Sequence, residues 1–434
     1  MPFVVAAINV AIPTIGHEFA VEARVTAWIG TIFFLAVAIV QVPFGRLADI
    51  YGRKRLMIIG LTVAIIASLI GTLAVSITML LVSLALIGVG SGIMFNNSIS
   101  ILTSVFPAEM RGRALGISTG GTYVALSLGP FIGGVLTETF GWQSIFILSG
   151  GMAAVVLVLL PYALKGEWRE ARGEKFDLVG SVTYAISIAS FIYGFSSLPS
   201  VQGIILFTVG VVGFAVFARW EARVESPIFN LGLFRKNRVF LLSCVAVFVS
   251  YIAVFAISFI LNLYLQYIKG LSPQAAGLVM IVASALMAVM TPISGRVSDK
   301  IEPRLLASLG MALCCVALLL LVFLNGNTPL WYIIVALVIN GFGIGIFAAP
   351  NTNAIMGSIE RKYLGVAAGT QGTMRTSGMM VSMGIIMILF SLFIGNEQIS
   401  SDLPAFLQSA RVGFIIFALL SFVSIFIQFA ARRT

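Results

Sequence analysis

The sequence predicts an all-α integral membrane protein of fourteen helices, built as two related six-helix bundles with two additional helices between them. Three observations carry this. Of 434 residues, 59% are hydrophobic and 10% charged, with a mean hydropathy of +1.08, too apolar for a water-soluble globular chain. The apolar residues form long uncharged runs, and a helix needs about 20 such residues to cross the hydrocarbon core. Continuous runs rather than weak alternating segments exclude a closed β-barrel. The chain also repeats itself. Gly45-Arg46-Leu47-Ala48-Asp49 returns 250 residues later as Gly295-Arg296-Val297-Ser298-Asp299. Gly88, Gly90, Gly92, Gly112 and Gly116 return 253 residues later as Gly341, Gly343, Gly345, Gly365 and Gly369.

Residues 1–16 open the chain as an apolar segment, about 24 Å long as a helix at 1.5 Å per residue. With no basic flank and no cleavage pattern it is not a signal peptide, and it reads as the later portion of a first spanning helix, short or truncated. Uncharged runs follow at 25–45, 56–108, 114–137, 139–164, 178–218, 239–268, 270–295, 305–359 and 412–431, and a run at 363–396 is interrupted only by Arg375. The runs 56–108, 178–218 and 305–359 are each long enough for two crossings. This divides the chain into an N-terminal six-helix bundle, 1–164, a middle segment, 165–238, and a C-terminal six-helix bundle, 239–434. The middle segment begins with mixed charges (Lys165, Glu167, Arg169, Glu170, Arg172, Glu174, Lys175 and Asp177) and reads as a solvated linker. It continues with the two extra helices and a loop holding Pro227 and Arg235-Lys236.

The net charge of +10 raises the question of nucleic acid, and its distribution answers it. Of 26 Lys and Arg, 22 fall in loops 46–55, 109–113, 165–177, 219–238, 296–304 and 360–362 or at Arg432 and Arg433. On a fourteen-helix topology all of these lie on one side, the positive-inside pattern, which places both termini in the cytoplasm and makes nucleic acid an unneeded partner. Only Arg24, Lys269, Arg375 and Arg411 lie elsewhere. Cys244, Cys314 and Cys315 all fall in predicted spans, so no disulfide framework is implied. His17 is the only histidine, and neither a metal set nor a cofactor motif is present.

Two motifs carry mechanism. Gly45-Arg-Leu-Ala-Asp49-Ile-Tyr-Gly52-Arg53 joins the second and third helices on the inner side. Gly45 lets a neighbouring helix approach closely. Asp49, a carboxylate at the membrane boundary, requires a cation, and Arg111 or Arg113 in the next inner loop is the expected partner. In the fifth helix, Gly121, Gly129, Pro130, Gly133 and Gly134 combine close-packing glycines with a break in the backbone ladder, which reads as a hinge. The first motif resembles motif A of the major facilitator superfamily, and the second resembles its motif C, found mainly in antiporting exporters. Asn9-Val-Ala-Ile-Pro13, Phe176-Asp177-x-x-Gly180, Leu263-Tyr264-Leu265-Gln266 with Gly270-x-Ser272-Pro273, and Gln371-x-x-x-Arg375-x-x-Gly378 extend the resemblance to the fourteen-helix drug:proton antiporter branch.

That resemblance implies a secondary transporter of the plasma membrane, not an enzyme, that exports small amphipathic compounds by alternating access, as a monomer without a cofactor. It also implies protons as the coupling ion, with an uptake carrier as the alternative. Three positions depart from the branch: Val4, Leu84 and Gln143 stand where it often has Asp, Arg and Arg. No Asp or Glu lies in the middle of a predicted helix, so the coupling site is not carried over from the family. The polar candidates for a substrate cavity are Asn9, Asn96, Asn97, Tyr123, Gln371 and Arg375. Arg375 stands out, because a guanidinium that deep needs a cavity, an anion or backbone carbonyls. With no intramembrane carboxylate to meet a cation, the expected cargo is neutral or weakly acidic.

Overall fold

The computed structural model describes residues 2–19, 23–198, 200–224, 227–228, 237–271, 273–394 and 402–431. Arg235, Lys236, Ser272, Arg432, Arg433 and the side chains of Pro13, His17 and Arg24 lie outside the described residues. Fourteen α-helices follow one another among the described residues: α1 Pro2–Glu18, α2 Ala23–Tyr51, α3 Arg53–Thr72, α4 Ile77–Val105, α5 Arg111–Phe140, α6 Gln143–Ala163, α7 Leu178–Ser196 and α8 Val201–Glu221. Then come α9 Arg238–Leu263, which runs into a wider π turn Tyr264–Ile268, α10 Pro273–Val297, α11 Pro303–Val322, α12 Leu330–Gly357, α13 Leu364–Phe393 and α14 Leu403–Ala430. No strand occurs among the described residues. Among the described residues, thirteen helices contain stretches long and apolar enough to cross a membrane, and α1 offers the shorter Phe3–Ile12.

The helices start where the sequence supplies caps. Ser76, Asp177, Ser200, Asn237 and Asp402 accept the backbone N–H of the residue three positions on, satisfying a donor that the first turn leaves unpaired. Large apolar side chains face outward along the spans, among them Leu69, Ile147, Val158, Leu419 and Phe426, a surface suited to lipid. Inside, one buried apolar cluster joins α1, α2, α4 and α6 around Ile8, Ile87 and Phe146. A second is centred on α9, α11, α12, α13 and α14 around Ile257, Met311 and Phe414, and also takes in Tyr123 of α5.

The sequence repeat is a repeat of contacts. A side chain at Gly88 would strike the Phe33 carbonyl oxygen at 2.5 Å, and one at Gly341 would strike that of Ala283 at 2.7 Å. Gly90 faces Gly60 and Ala64, as Gly343 faces Gly310 and Cys314. Gly92 faces Val37 and Val40, as Gly345 faces Met287 and Met290. Every neighbour is displaced by 250 residues, so the α2–α3–α4 packing recurs as α10–α11–α12.

The inserted pair α7–α8 packs tightly on itself, with Gly194 against Phe207 and Gly210 against Phe191. It also reaches both halves: the Tyr184 hydroxyl lies 3.1 Å from the Ala38 carbonyl oxygen on α2 and 3.1 Å from Thr373 Oγ1 on α13.

Candidate functional site

The two halves meet along two seams, α2 with α13 and α5 with α10, and each is closed at one end by a carboxylate. Asp49, fully buried near the end of α2, accepts the N–H groups of Gly365 at 3.1 Å and Val366 at 3.2 Å, the first turn of α13. Asp299 at the end of α10 accepts those of Gly112 at 2.7 Å and Arg113 at 3.0 Å, the first turn of α5. A helix N-terminus presents unpaired N–H groups and partial positive charge, and each anion satisfies two of these donors on the opposite half. Close approach is required here. A side chain at Gly45 would lie 2.5 Å from the Gly365 carbonyl oxygen, and Gly295 and Gly112 face one another the same way.

The expected partners of Asp49 are corrected by this geometry. Its cation is Arg53, one turn further along the same motif, with Nη2 at 2.7 Å and Nε at 3.1 Å. Arg53 is itself fully buried and donates to Ser104 Oγ at 2.5 Å and to the Arg361 carbonyl at 3.1 Å. Arg111 instead points Nε at the Phe106 carbonyl, 3.4 Å away, and Arg113 contributes its backbone N–H to Asp299. The physical reason is the exchange between halves: the N-terminus of α5, where both residues sit, faces the second copy of the motif rather than the first. That second copy has Pro303 where the first has Arg53, and Asp299 makes no ion pair among the described residues.

The linker keeps Lys165, Arg169, Glu170, Arg172 and Lys175 exposed, yet part of it is anchored on the motif turn. Residues 164–174 strap the motif turn from outside. Glu167 accepts the N–H groups of Lys54 at 2.9 Å and Arg55 at 3.2 Å, capping α3. Its neighbours pair with the turn's backbone, Arg53 N–H to Trp168 O at 3.1 Å and Ala171 N–H to Asp49 O at 3.0 Å. Glu174 forms an ion pair with the buried Arg46, and the Lys54 ammonium donates to the Leu164 carbonyl. The end of α2 and the start of α3 leave backbone groups unpaired, and the linker supplies their partners. Gly52 makes the turn possible: its φ is 117°, a conformation side chains resist, and a Cβ would meet the Glu167 carboxylate at 2.6 Å.

The glycines of the fifth helix divide in two. Gly133 would place a side chain 2.6 Å from Ala7 Cα, and Gly129 would drive one into Ala6, with the Phe3 carbonyl oxygen 3.2 Å away, so these two hold α5 against α1. Gly121 has open space around it, and Gly134 has only Val10 at 3.8 Å. Pro130 lies within α5, which is helical without interruption from Arg111 to Phe140.

Arg375 lies ten residues along α13 from Gly365, about 15 Å at 1.5 Å per residue and so about half the hydrocarbon thickness. Its guanidinium carbon sits 3.9 Å from the centre of the Phe95 ring on α4, a cation–π contact across the halves. It has no carboxylate partner among the described residues, and its buried Nε makes no hydrogen bond. One turn earlier, Gln371 donates to Thr352 Oγ1 at 2.6 Å and leaves its buried Oε1 unpaired. Asn351 on α12 is 1% exposed with both amide atoms unpaired. Tyr123 of α5 is buried in the apolar cluster against which Tyr251 of α9 packs. Buried polar atoms without partners cost about 1–3 kcal/mol each, and Arg375 Nε, Gln371 Oε1 and both Asn351 amide atoms are four such atoms on α12 and α13.

Of the predicted cavity residues, Tyr123, Gln371 and Arg375 meet at the seam. Asn96 donates its amide to the Gln41 carbonyl on α2, Asn97 donates to Ile93 O of its own helix at 2.9 Å, and Asn9 is exposed on α1. Phe95, Asn351 and Thr352 escaped the sequence reading. Phe95 is one of 33 phenylalanines and carries no local signal, while Asn351 and Thr352 sit in an apolar run where each resembles a routine helix–helix hydrogen bond.

The family model of the Major Facilitator Superfamily matches residues 1–383. The chain belongs to that superfamily. As such it is a membrane transporter of small molecules. It is 28% identical over 433 residues to a riboflavin transporter of Clostridioides difficile, covering 98% of this chain and 94% of that one. It is 28% identical over 385 residues to the multidrug resistance protein Stp of Mycobacterium tuberculosis, covering 87% and 71%. A multidrug efflux pump of Mycolicibacterium smegmatis shows 27% identity over 93% of this chain and 80% of its own. Among solved structures, the human organic anion transporter MFSD10 superposes with a TM-score of 0.71 at 15% identity, covering 98% and 96%, which establishes the shared fold.

Proposed function

We propose that this transporter is an exporter of small amphipathic compounds in the plasma membrane, working by alternating access as a monomer, in the fourteen-helix drug:proton antiporter branch. Its units are the bundles 1–164 and 239–434 with the segment 165–238 between them, both termini being cytoplasmic. The observation that carries the reading is the Arg375 cluster. It draws on α4 and α5 of one half and α9, α12 and α13 of the other, about 15 Å along α13 from the gate that Asp49 closes. Both latches lie among the basic loops, so in this topology the closed end is the cytoplasmic one and the state is outward-facing. Motif A then acts through Asp49 and Arg53, and Gly129 and Gly133 set the α5–α1 contact about which the half rocks.

The chemistry favours neutral or weakly acidic cargo. The cluster offers a guanidinium, an aromatic face and amides, and among the described residues no carboxylate pairs with it to compensate a cation. The names of the relatives fit two directions of transport. Two are multidrug resistance or efflux proteins, which supports export. The riboflavin transporter supports a second reading, carriage of a metabolite. Riboflavin is planar and rich in carbonyls, and such a ring suits a guanidinium stacked on Phe95. Accumulation of fluorescent substrates in a pump-deficient host, with and without an uncoupler, tests the proposal: export predicts lower accumulation that rises when the proton gradient collapses. Higher accumulation than in the empty host would identify an uptake carrier instead.

A further inference from the structure

Two of the four basic residues outside the inner loops, Lys269 and Arg411, converge on one place. A groove runs along the lipid-facing side between α11 and α14. Its upper end is a cavity of about 410 Å³ lined by Asn325, Gln408 and Arg411, and its lower end holds a second cavity of about 250 Å³ lined by Leu319, Ile415 and Phe422. Below Arg411 every lining residue is apolar or cysteine. The Lys269 ammonium donates to the Gly326 carbonyl at 2.8 Å, next to Asn325, whose carbonyl takes the Tyr264 hydroxyl at 2.6 Å. Arg411 is exposed and makes no ion pair among the described residues. Asp402, further up the same helix, directs its carboxylate to the Ala405 N–H at 2.9 Å.

The dimensions fit one leaflet. Arg411 is the one charged residue within α14, and residues 412–431 after it are uncharged. From Arg411 to Phe422 is about 16 Å along the helix, against about 15 Å for half the hydrocarbon core. Two cations at headgroup level above an apolar groove of one leaflet's depth match the two ends of one molecule.

We propose that the α11–α14 groove binds one anionic glycerophospholipid of the leaflet opposite the Asp49 latch. Arg411 and Lys269 hold its phosphate and an acyl chain lies over Ile415 and Phe422. A zwitterionic headgroup brings its own cation to the rim and binds less well. Native mass spectrometry of the full chain, titrated with phosphatidylglycerol and phosphatidylcholine of identical chains, tests this. Wild type should retain the anionic lipid about fivefold more, the preference expected from one additional cation at the headgroup. Arg411→Gln should abolish the preference, and Ile415→Trp, on an exposed apolar position, should weaken retention of both lipids. Should Arg411→Gln fail to insert, Lys269→Gln reads the same rim. Equal retention of the two lipids by wild type, or a preference that survives Arg411→Gln, would overturn the assignment. So would displacement of phosphatidylglycerol by millimolar inorganic phosphate, which would give the cations to a soluble anion.

Discussion

Replacing Asp49 with Asn isolates the charge of the inner latch from its shape. The carboxylate accepts four contacts, two from Arg53 and one each from Gly365 and Val366. An amide keeps one acceptor and turns a donor toward at least one of those N–H groups. It also leaves the Arg53 guanidinium, which is 0% exposed, without its counter-charge. Breaking a buried pair from one side costs about 3–5 kcal/mol. The bonds of Arg53 to Ser104 and Arg361 remain, so the lower figure applies, and it falls only on the inner-closed state because opening returns the guanidinium to water. About 3 kcal/mol is roughly 150-fold in the equilibrium, enough to bring a state favoured about 99:1 to less than half of the population. Spin labels at the exposed Tyr51 and Glu360, on the two sides of the α2–α13 seam, read this as an interspin distance in proteoliposomes. Wild type should give one short distance, and Asp49→Asn a second, longer population of comparable size, with transport impaired and membrane insertion retained. An unchanged distribution with wild-type transport would refute the reasoning.

The other predictions concern the second latch, the hinge and the topology. Asp299→Asn should act in the same direction but more weakly, by about 1–2 kcal/mol, since it removes a charge-assisted bond without stranding a cation; labels at Arg113 and Lys300 measure it. Gly129→Leu should abolish substrate flux by forcing α5 from α1, whereas Gly121→Ala, into open space, should leave flux within twofold or so of wild type. Reporter fusions after Thr434 and in loop 165–177 should read cytoplasmic, and one in loop 395–407 external, as the positive-inside distribution requires.

The spans were legible because the bilayer sets their length, and apolar runs of that length have few other uses. The duplication was legible because glycines at helix contacts cannot be replaced without moving a backbone, so Gly88–Gly92 and Gly341–Gly345 mark the same packing twice. What escapes is mostly partners distant in sequence. Asp49 finds backbone donors 316 and 317 positions away, which no local pattern reveals, whereas its cation, Arg53, lies only four positions on in its own motif rather than in the loop 109–113. The linker's alternating charges read as a solvated strand of chain and most of them are exposed, but Glu167 caps the start of α3 and Glu174 pairs with Arg46, contacts more than a hundred residues apart. Arg375 was visible as a charge out of place. Phe95, which gives it a surface to rest on, was not.

The most direct test of the account is the charge selectivity of export through the Arg375 cluster. Matched neutral, weakly acidic, monocationic and dicationic compounds are loaded into cells of a pump-deficient host carrying either wild type or Arg375→Gln, and efflux is followed with and without an uncoupler. The account predicts uncoupler-sensitive efflux of the neutral and weakly acidic members, little efflux of the dications, and a loss of roughly tenfold or more in Arg375→Gln, the contribution of one charge-assisted hydrogen bond at a desolvated site. Strong, uncoupler-sensitive export of dications that is indifferent to Arg375 would contradict it.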